Sequence, residues 1–147
     1  MSDRDLINLY SGRILALAAD IPHLGRLPVS GATARKRSPL CGSTVTVDVV
    51  LVGGRVTEFA QDVKACALGQ AAASVLGRAV IGRSVAELEA ARQALTAMLK
   101  EAGPVPSAPF ADYEVLIPAR DYRNRHASIL LALEAACAAA TDAEAAA

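Results

Sequence analysis

The chain has 147 residues, a length that fits a single domain with one hydrophobic core. Its 15 basic and 15 acidic side chains balance, which gives no electrostatic case for binding nucleic acid or an anionic membrane surface. No stretch reaches the roughly 18 consecutive apolar residues that a membrane-spanning helix needs, and three widely spaced cysteines, an odd number, do not suggest a disulfide framework.

The N-terminus and the cysteine usage together predict a reducing, cytoplasmic setting. The first five residues are polar and largely charged, unlike a secretory signal peptide. In such a compartment thiols are free, metal-bound or reactive rather than paired. Apolar residues make up 53% of the chain but aromatic residues only 3%, so alanine carries much of the core. We therefore expect backbones to approach one another closely.

The first third of the chain predicts one helix and one edge strand. Residues 3–19 have the period of an amphipathic helix, which Pro22 ends because proline excludes helix from the residue before it. Residues 23–36 read as a loop leading into a short strand that carries Arg35, Lys36 and Arg37. We interpret these cations as a solvated edge that resists aggregation rather than as a binding patch.

A β-hairpin follows. Val45, Val47 and Val49 alternate with polar residues, which is the period of a half-buried strand. Gly53-Gly54 supplies the pair of positive φ angles that a two-residue type I′ turn needs. The return strand, about residues 55–64, alternates poorly and requires a β-bulge to keep its apolar residues on one face.

The rest of the chain predicts helices. Residues 67–81 are rich in small side chains and read as a helix that can lie close to a sheet. Ser84 and Glu87 form a capping box for a helix that reaches about Lys100. A last helix starts after residues 121–124, and residues 141–147 read as a disordered alanine-rich tail. The order predicts one α+β domain over residues 1–140, with a small three-stranded antiparallel sheet and helices mainly on one face.

Three side chains are candidates for chemistry. Cys41 lies in a turn between Pro39 and Gly42, and Cys66 stands where a helix begins, where free N–H groups favour a thiolate. The hairpin returns the chain to its starting end, so we predict that the two thiols meet. His126 is a plausible third ligand, although histidines on an apolar face more often serve as hydrogen-bonded core residues. Free cysteines also often only pack, and Cys137 is interpreted in that way.

Four segments, in order, resemble the iron–sulfur cluster assembly scaffolds of the NifU N-terminal/IscU type. They are residues 39–43, Cys66 with its small-residue helix, residues 82–88, and residues 125–130. The similarity covers about residues 37–135 and implies a SufE/NifU-like fold. It also implies a non-enzymatic scaffold that holds an iron–sulfur cluster or zinc through Cys41, Cys66 and His126. The implied partners are a cysteine desulfurase and cluster-accepting proteins, without nucleic acid or membrane.

The chain departs from the family pattern at two positions. Ser43 stands where the family has an aspartate, and Ala127 stands where it has a third cysteine after the histidine. The chain is thus identified as a divergent member of the family. Two alternatives stay open: a sulfur-transfer protein in which Cys41 or Cys66 accepts persulfide sulfur, and a degenerate interaction module that keeps the fold without metal chemistry.

Overall fold

The computed structural model describes residues 10–39 and 42–146. The described chain is α+β, as predicted, and its elements are helix α1 (Gly12–Ala19), strands β1 (Ala32–Arg37), β2 (Thr44–Val52) and β3 (Arg55–Lys64), helices α2 (Ala67–Ala79) and α3 (Val85–Lys100), a 3₁₀ helix (Ala111–Asp121), and helix α4 (Arg123–Ala146). Helix α1 confirms residues 12–19 of the predicted first helix, while residues 3–9 lie outside the described residues. The predicted continuous helix is wrong at Tyr10 and Ser11, because Ser11 has extended backbone and caps α1, its hydroxyl accepting from the Ile14 amide.

The three strands form an antiparallel sheet in the order β1-β2-β3. The hairpin turn has φ angles of 61° at Gly53 and 77° at Gly54, which confirms the predicted turn. The register shifts between Val50 and Leu51, so that Thr57 on β3 has no partner across the ladder. This is the predicted bulge, and the Thr57 hydroxyl donates a hydrogen bond to the Val50 carbonyl at 3.2 Å.

The helices cover one face of the sheet, as predicted, and the core lies between the two layers. Val45, Val47 and Val49 of β2 are all buried on that face. Helix α4 packs against β1, β2, α2 and α3, so it occupies the centre of the helical layer. The predicted capping box at the start of α3 is present, with the Ser84 hydroxyl accepting from the Glu87 amide. Within the described part of the chain, no helix combines the length and apolarity required to cross a bilayer.

Helix α4 is longer than the sequence suggested. It continues to Ala146, whereas we predicted a disordered tail from residue 141 onwards. The physical reason is that Ala139, Ala140 and Ala143 share one face and are all buried. Alanine has the highest intrinsic helix propensity, and a helix already packed at Ala140 extends at little cost. Residues 141–146 therefore belong to the last helix.

A segment before β1 is tied onto the other face of the sheet by Asp48. This β2 side chain is only 1% exposed, and Arg26 donates to its two oxygens at 2.7 and 3.2 Å. The Leu27 amide and the Thr33 hydroxyl also donate to it. The Arg26 hydrogen bonds are the main reason that the pKa of Asp48 lies below its ordinary value, and burial opposes them. The carboxylate thus anchors the connection between α1 and β1.

We predict that Asp48→Asn destabilises the protein at neutral pH and does so less in acid. Because the folded pKa of Asp48 is lowered, its contribution is present above the unfolded value of about 4 and is lost as pH falls through the folded value. At pH 7 the loss should be about 1–2 kcal/mol, at the low end for a charged hydrogen bond because Arg26 is half exposed. Urea unfolding from pH 7 to pH 2 measures it. If the difference in unfolding free energy between the wild type and Asp48→Asn stays constant over this pH range, the lowered pKa of Asp48 does not contribute to stability.

Candidate functional site

Cys66 stands at the junction between the sheet and the helices. It is the N-cap residue of α2, two residues after β3 ends, and its carbonyl accepts the Gln70 amide at 2.9 Å. Its own side chain makes no capping hydrogen bond to the helix and is partly exposed. The sulfur lies 3.5 Å from the Ser128 hydroxyl oxygen instead. The thiol is therefore held against α4 and is still accessible.

Ser128 connects Cys66 to the segment that carries Cys41. The hydroxyl oxygens of Ser128 and Ser43 lie 3.1 Å apart, and both side chains are buried. Ser128 is a functional candidate that the sequence reasoning missed. Its signal was present, since it lies two residues after His126 in the segment that resembles the family. What the sequence did not show is that Ser128 contacts Ser43 and Cys66, which precede it by 85 and 62 residues.

Cys41 itself lies outside the described residues, but Ser38, Gly42 and Ser43 on either side of it are described. The Ser38 amide donates to the Ser43 carbonyl at 2.8 Å, and the Gly42 amide donates to the Ser38 carbonyl at 2.9 Å. Ser43 is two residues from Cys41, a separation that spans at most about 7 Å of extended chain. Ser128 thus contacts both Ser43 and Cys66, while the meeting of the two thiols stays a prediction.

His126 is held by a different contact. Its side chain is 4% exposed, and Nε2 lies 3.0 Å from the carbonyl oxygens of both Ala119 and Arg120, at the end of the 3₁₀ helix. Since both partners can only accept, Nε2 carries the hydrogen. In the neutral ring the lone pair is then on Nδ1, which is the arrangement found in metal-binding histidines that donate their other N–H to a carbonyl. The ring also borders a surface cleft of about 550 Å³ between the end of α3 and the start of α4.

The remaining cysteine belongs to the core, as predicted. Cys137 lies about four turns into α4 and is buried. Burial, with a smaller effect of Glu89, raises the pKa of the Cys137 thiol to about 12. Within residues 10–39 and 42–146, no three histidine, cysteine or acidic side chains lie close enough together to hold a metal ion. A metal site that uses Cys66 therefore requires a ligand from outside this set, and Cys41 is the candidate.

Helices α2 and α4 meet at this point without space between them. A methyl group at Gly69, one turn after Cys66, would lie 2.7 Å from the Ser128 hydroxyl oxygen and 2.8 Å from the Ala65 side chain. Such distances are shorter than side-chain contacts allow, so only glycine lets α2 approach α4 this closely. The contact between Cys66 and Ser128 depends on that approach.

Comparison with known proteins agrees with this architecture. Residues 9–128 match the sequence profile of the NifU-like N terminal domain, which is most of the chain. The chain therefore belongs to the NifU-like N-terminal domain family. Among the curated proteins compared with it, none matches.

Several solved structures are similar to the chain, including the following two. One is a nitrogen-fixing NifU-like protein (N-terminal) from Brucella abortus, with 47% identity over 96% of this chain and 98% of that one, at a TM-score of 0.93. The other is named as an iron–sulfur cluster assembly scaffold protein for the SUF system from Fervidobacterium islandicum AW-1. It is 18% identical, covers 91% of this chain and 98% of that one, and has a TM-score of 0.80. At that identity the second structure supports the fold alone.

We predict that Gly69→Ala separates the two helices at the site and lowers stability. The added methyl must displace Ser128 or Ala65, and overpacking of this kind costs about 1–3 kcal/mol, more than the helix-propensity gain of up to about 1 kcal/mol. Urea unfolding measures the change. Gly12→Ala in α1 is the matched control, because nothing lies within 4 Å of its added methyl. Equal effects of the two substitutions would show that the close approach at Ser128 is unimportant.

Proposed function

We propose that this protein is an iron–sulfur cluster assembly scaffold that holds a labile cluster as its cargo, or zinc, through Cys41 and Cys66, with His126 as a third ligand. The observation that supports it best is the contact of Ser128 with both Cys66 and Ser43. Through this contact Ser43, two residues after Cys41, lies close to the start of α2 and to the start of α4. Family membership supports the scaffold role independently.

The chemistry of these side chains fits such a cargo. Thiolate and imidazole are ligands for zinc, and histidine replaces some thiolates in iron–sulfur sites. Cys66 is partly exposed at a helix start, and His126 has its Nε2 fixed by two carbonyls, which leaves Nδ1 for a ligand. Two thiolates and one imidazole supply three of the four ligands of a tetrahedral metal, so that one coordination position stays open. An open position suits a cargo that has to be passed on rather than kept.

The expected partners follow from the same role. A scaffold requires a supplier of sulfur, for which a cysteine desulfurase is the proposed source, and proteins that accept the cluster. We propose that the chain itself catalyses no reaction and acts in the cytoplasm.

Persulfide acceptance is the second candidate function, and the environment of Cys66 favours it. The terminal sulfur of a donor persulfide would move to the Cys66 thiol, so that the donor leaves as a thiol and a persulfide forms on Cys66; no net oxidant is needed. Ser128 is placed to donate a hydrogen bond to the sulfur that receives it. This function needs only one accessible thiol, so it does not require His126.

We predict that Cys41→Ser and Cys66→Ser each abolish metal or sulfur loading with little loss of stability. Cys66 is partly exposed, so a hydroxyl there keeps its solvent contact. Metal, sulfide and persulfide contents of freshly purified protein measure loading. About one metal per chain favours the scaffold, persulfide on a single cysteine favours sulfur transfer, and neither favours an interaction module without metal chemistry.

Cys137→Ser is the matched control for these variants. It buries a hydroxyl in an alanine-rich core, which costs about 1–3 kcal/mol when the hydroxyl has no partner. We expect this variant to load normally and to melt at a lower temperature. Equal thermal shifts in all three cysteine variants, with unchanged loading, would mean that all three cysteines only pack.

We predict that Ala127→Cys strengthens zinc binding. Ala127 is partly buried between His126 and Ser128, and a cysteine there adds a sulfur atom that can serve as the fourth ligand. Ser43→Asp should help less, because its carboxylate replaces a hydroxyl that already bonds Ser128. A zinc competition titration of the wild type, both single variants and the double variant measures the affinities. If Ala127→Cys folds normally and binds no tighter, residue 127 faces away from any shared site.

A further inference from the structure

The face of the sheet opposite the helices carries a group of cations at one end. The register places Arg35 beside Thr46 and Asp62, and Arg37 beside Thr44 and Lys64. These six side chains share one face because side chains alternate along a strand. Arg26, which bonds Asp48, adds a cation from the loop above. We call Arg26, Arg35, Arg37 and Lys64 the outer basic patch.

The charges of this patch are poorly balanced by the chain. A cleft of about 190 Å³ within it is lined by Arg26, Arg35, Lys64, Thr44, Thr46 and Asp62. Because Arg26 is paired with Asp48, the cleft leaves Arg35 and Lys64 against the single carboxylate of Asp62. In the described part of the chain, Arg35, Arg37 and Lys64 form no ion pair, whereas Arg26 pairs with Asp48 and five further ion pairs lie outside the patch. The whole chain is electrically neutral, so the patch is a local segregation of positive charge. Such an excess attracts an anionic partner.

The strand that carries the patch lies at the edge of the sheet. β1 pairs only with β2 among the described strands, so its other edge has no strand partner there. Arg35 and Arg37 are two residues apart and emerge on one face about 6.6 Å from each other. Acidic side chains at alternate positions of an extended segment have the same spacing. Like charges on this edge repel a second copy of the chain, but they attract such a segment.

We propose that the outer basic patch docks an extended, acidic segment of a partner protein, which adds as a strand to the free edge of β1. Main-chain hydrogen bonds then supply affinity, and carboxylates at alternate positions meet Arg35 and Arg37. Resting on the proposed function, the partner is the protein that exchanges sulfur or cluster with this chain. The reason is position: Arg37 ends β1 four residues before Cys41, and Lys64 ends β3 two residues before Cys66.

Lys36 provides a matched control on the same strand. It faces the helical layer, in register with the buried Val45, so its direction is opposite to that of Arg35. Its charge also acts on Glu134 of α4: burial raises the pKa of Glu134, and the charges of Arg92 and then Lys36 oppose this. Removing the Lys36 charge therefore changes the net charge equally without changing the outer basic patch.

The test uses a fluorescein-labelled peptide that alternates glutamate and threonine, with binding followed by anisotropy in the full-length protein. Arg35→Gln and Arg37→Gln should each weaken binding about threefold, the size expected for one exposed ion pair. Lys36→Gln should leave binding unchanged. A scrambled peptide of the same composition, with its glutamates consecutive, should bind more weakly, and raising the salt concentration should weaken both.

Three results would overturn the proposal. Absence of binding at low salt, or an equal loss in Lys36→Gln, would show that no specific patch exists. If both peptides bind equally, and inorganic phosphate displaces each of them at the same concentration, the patch is a general anion site. Zinc loading of the same variants should equal that of the wild type, so a failure of peptide binding is distinguishable from a failure of the proposed scaffold function.

Discussion

The burial of helix α4 is the constraint on which the rest of the structure depends. Its buried side chains point in every direction around the axis, as in a helix enclosed by other elements. One side faces β1 and β2, another faces α2, and a third faces α3. Only small side chains permit so many close neighbours, and α4 supplies them as alanine. The low aromatic content of the chain is the sequence counterpart of this arrangement.

The same constraint forms the candidate site. Ser128 is buried because α4 is buried, and it meets Cys66 because Gly69 allows α2 to approach without a side chain between the helices. His126, half a helical turn earlier, is directed to the carbonyls of Ala119 and Arg120 instead. One helix start thus fixes two groups in different ways: a hydroxyl against the thiol, and an imidazole against the 3₁₀ helix.

Features set by local chemistry could be predicted from the sequence, and features set by long-range packing could not. The type I′ turn, the bulge and the capping box each depend on residues within about ten positions of one another, and all three were confirmed. The contact of Ser43 with Ser128 joins residues 85 positions apart, and no local pattern indicates it. The predicted tail was wrong for a related reason, since residues 141–146 look like a frayed end until Ala143 is seen to be buried.

The two departures from the family pattern change the charge of the site more than its shape. An aspartate at position 43 and a cysteine at position 127, as the resembled family has, would bring two more groups that carry negative charge when a metal is bound. Ser43 and Ala127 are neutral, and Ser43 bonds Ser128 with no charge involved. A doubly charged metal or a cluster would therefore be held by fewer anionic ligands, in a site with an open position. Under the proposed scaffold function, the physical consequence would be weaker retention of the cargo, which a scaffold tolerates because its cargo has to leave. Arg37 and Lys64, at the neighbouring ends of β1 and β3, would also weaken the retention of a metal cation, because like charges repel. The same positive charges attract an anionic partner.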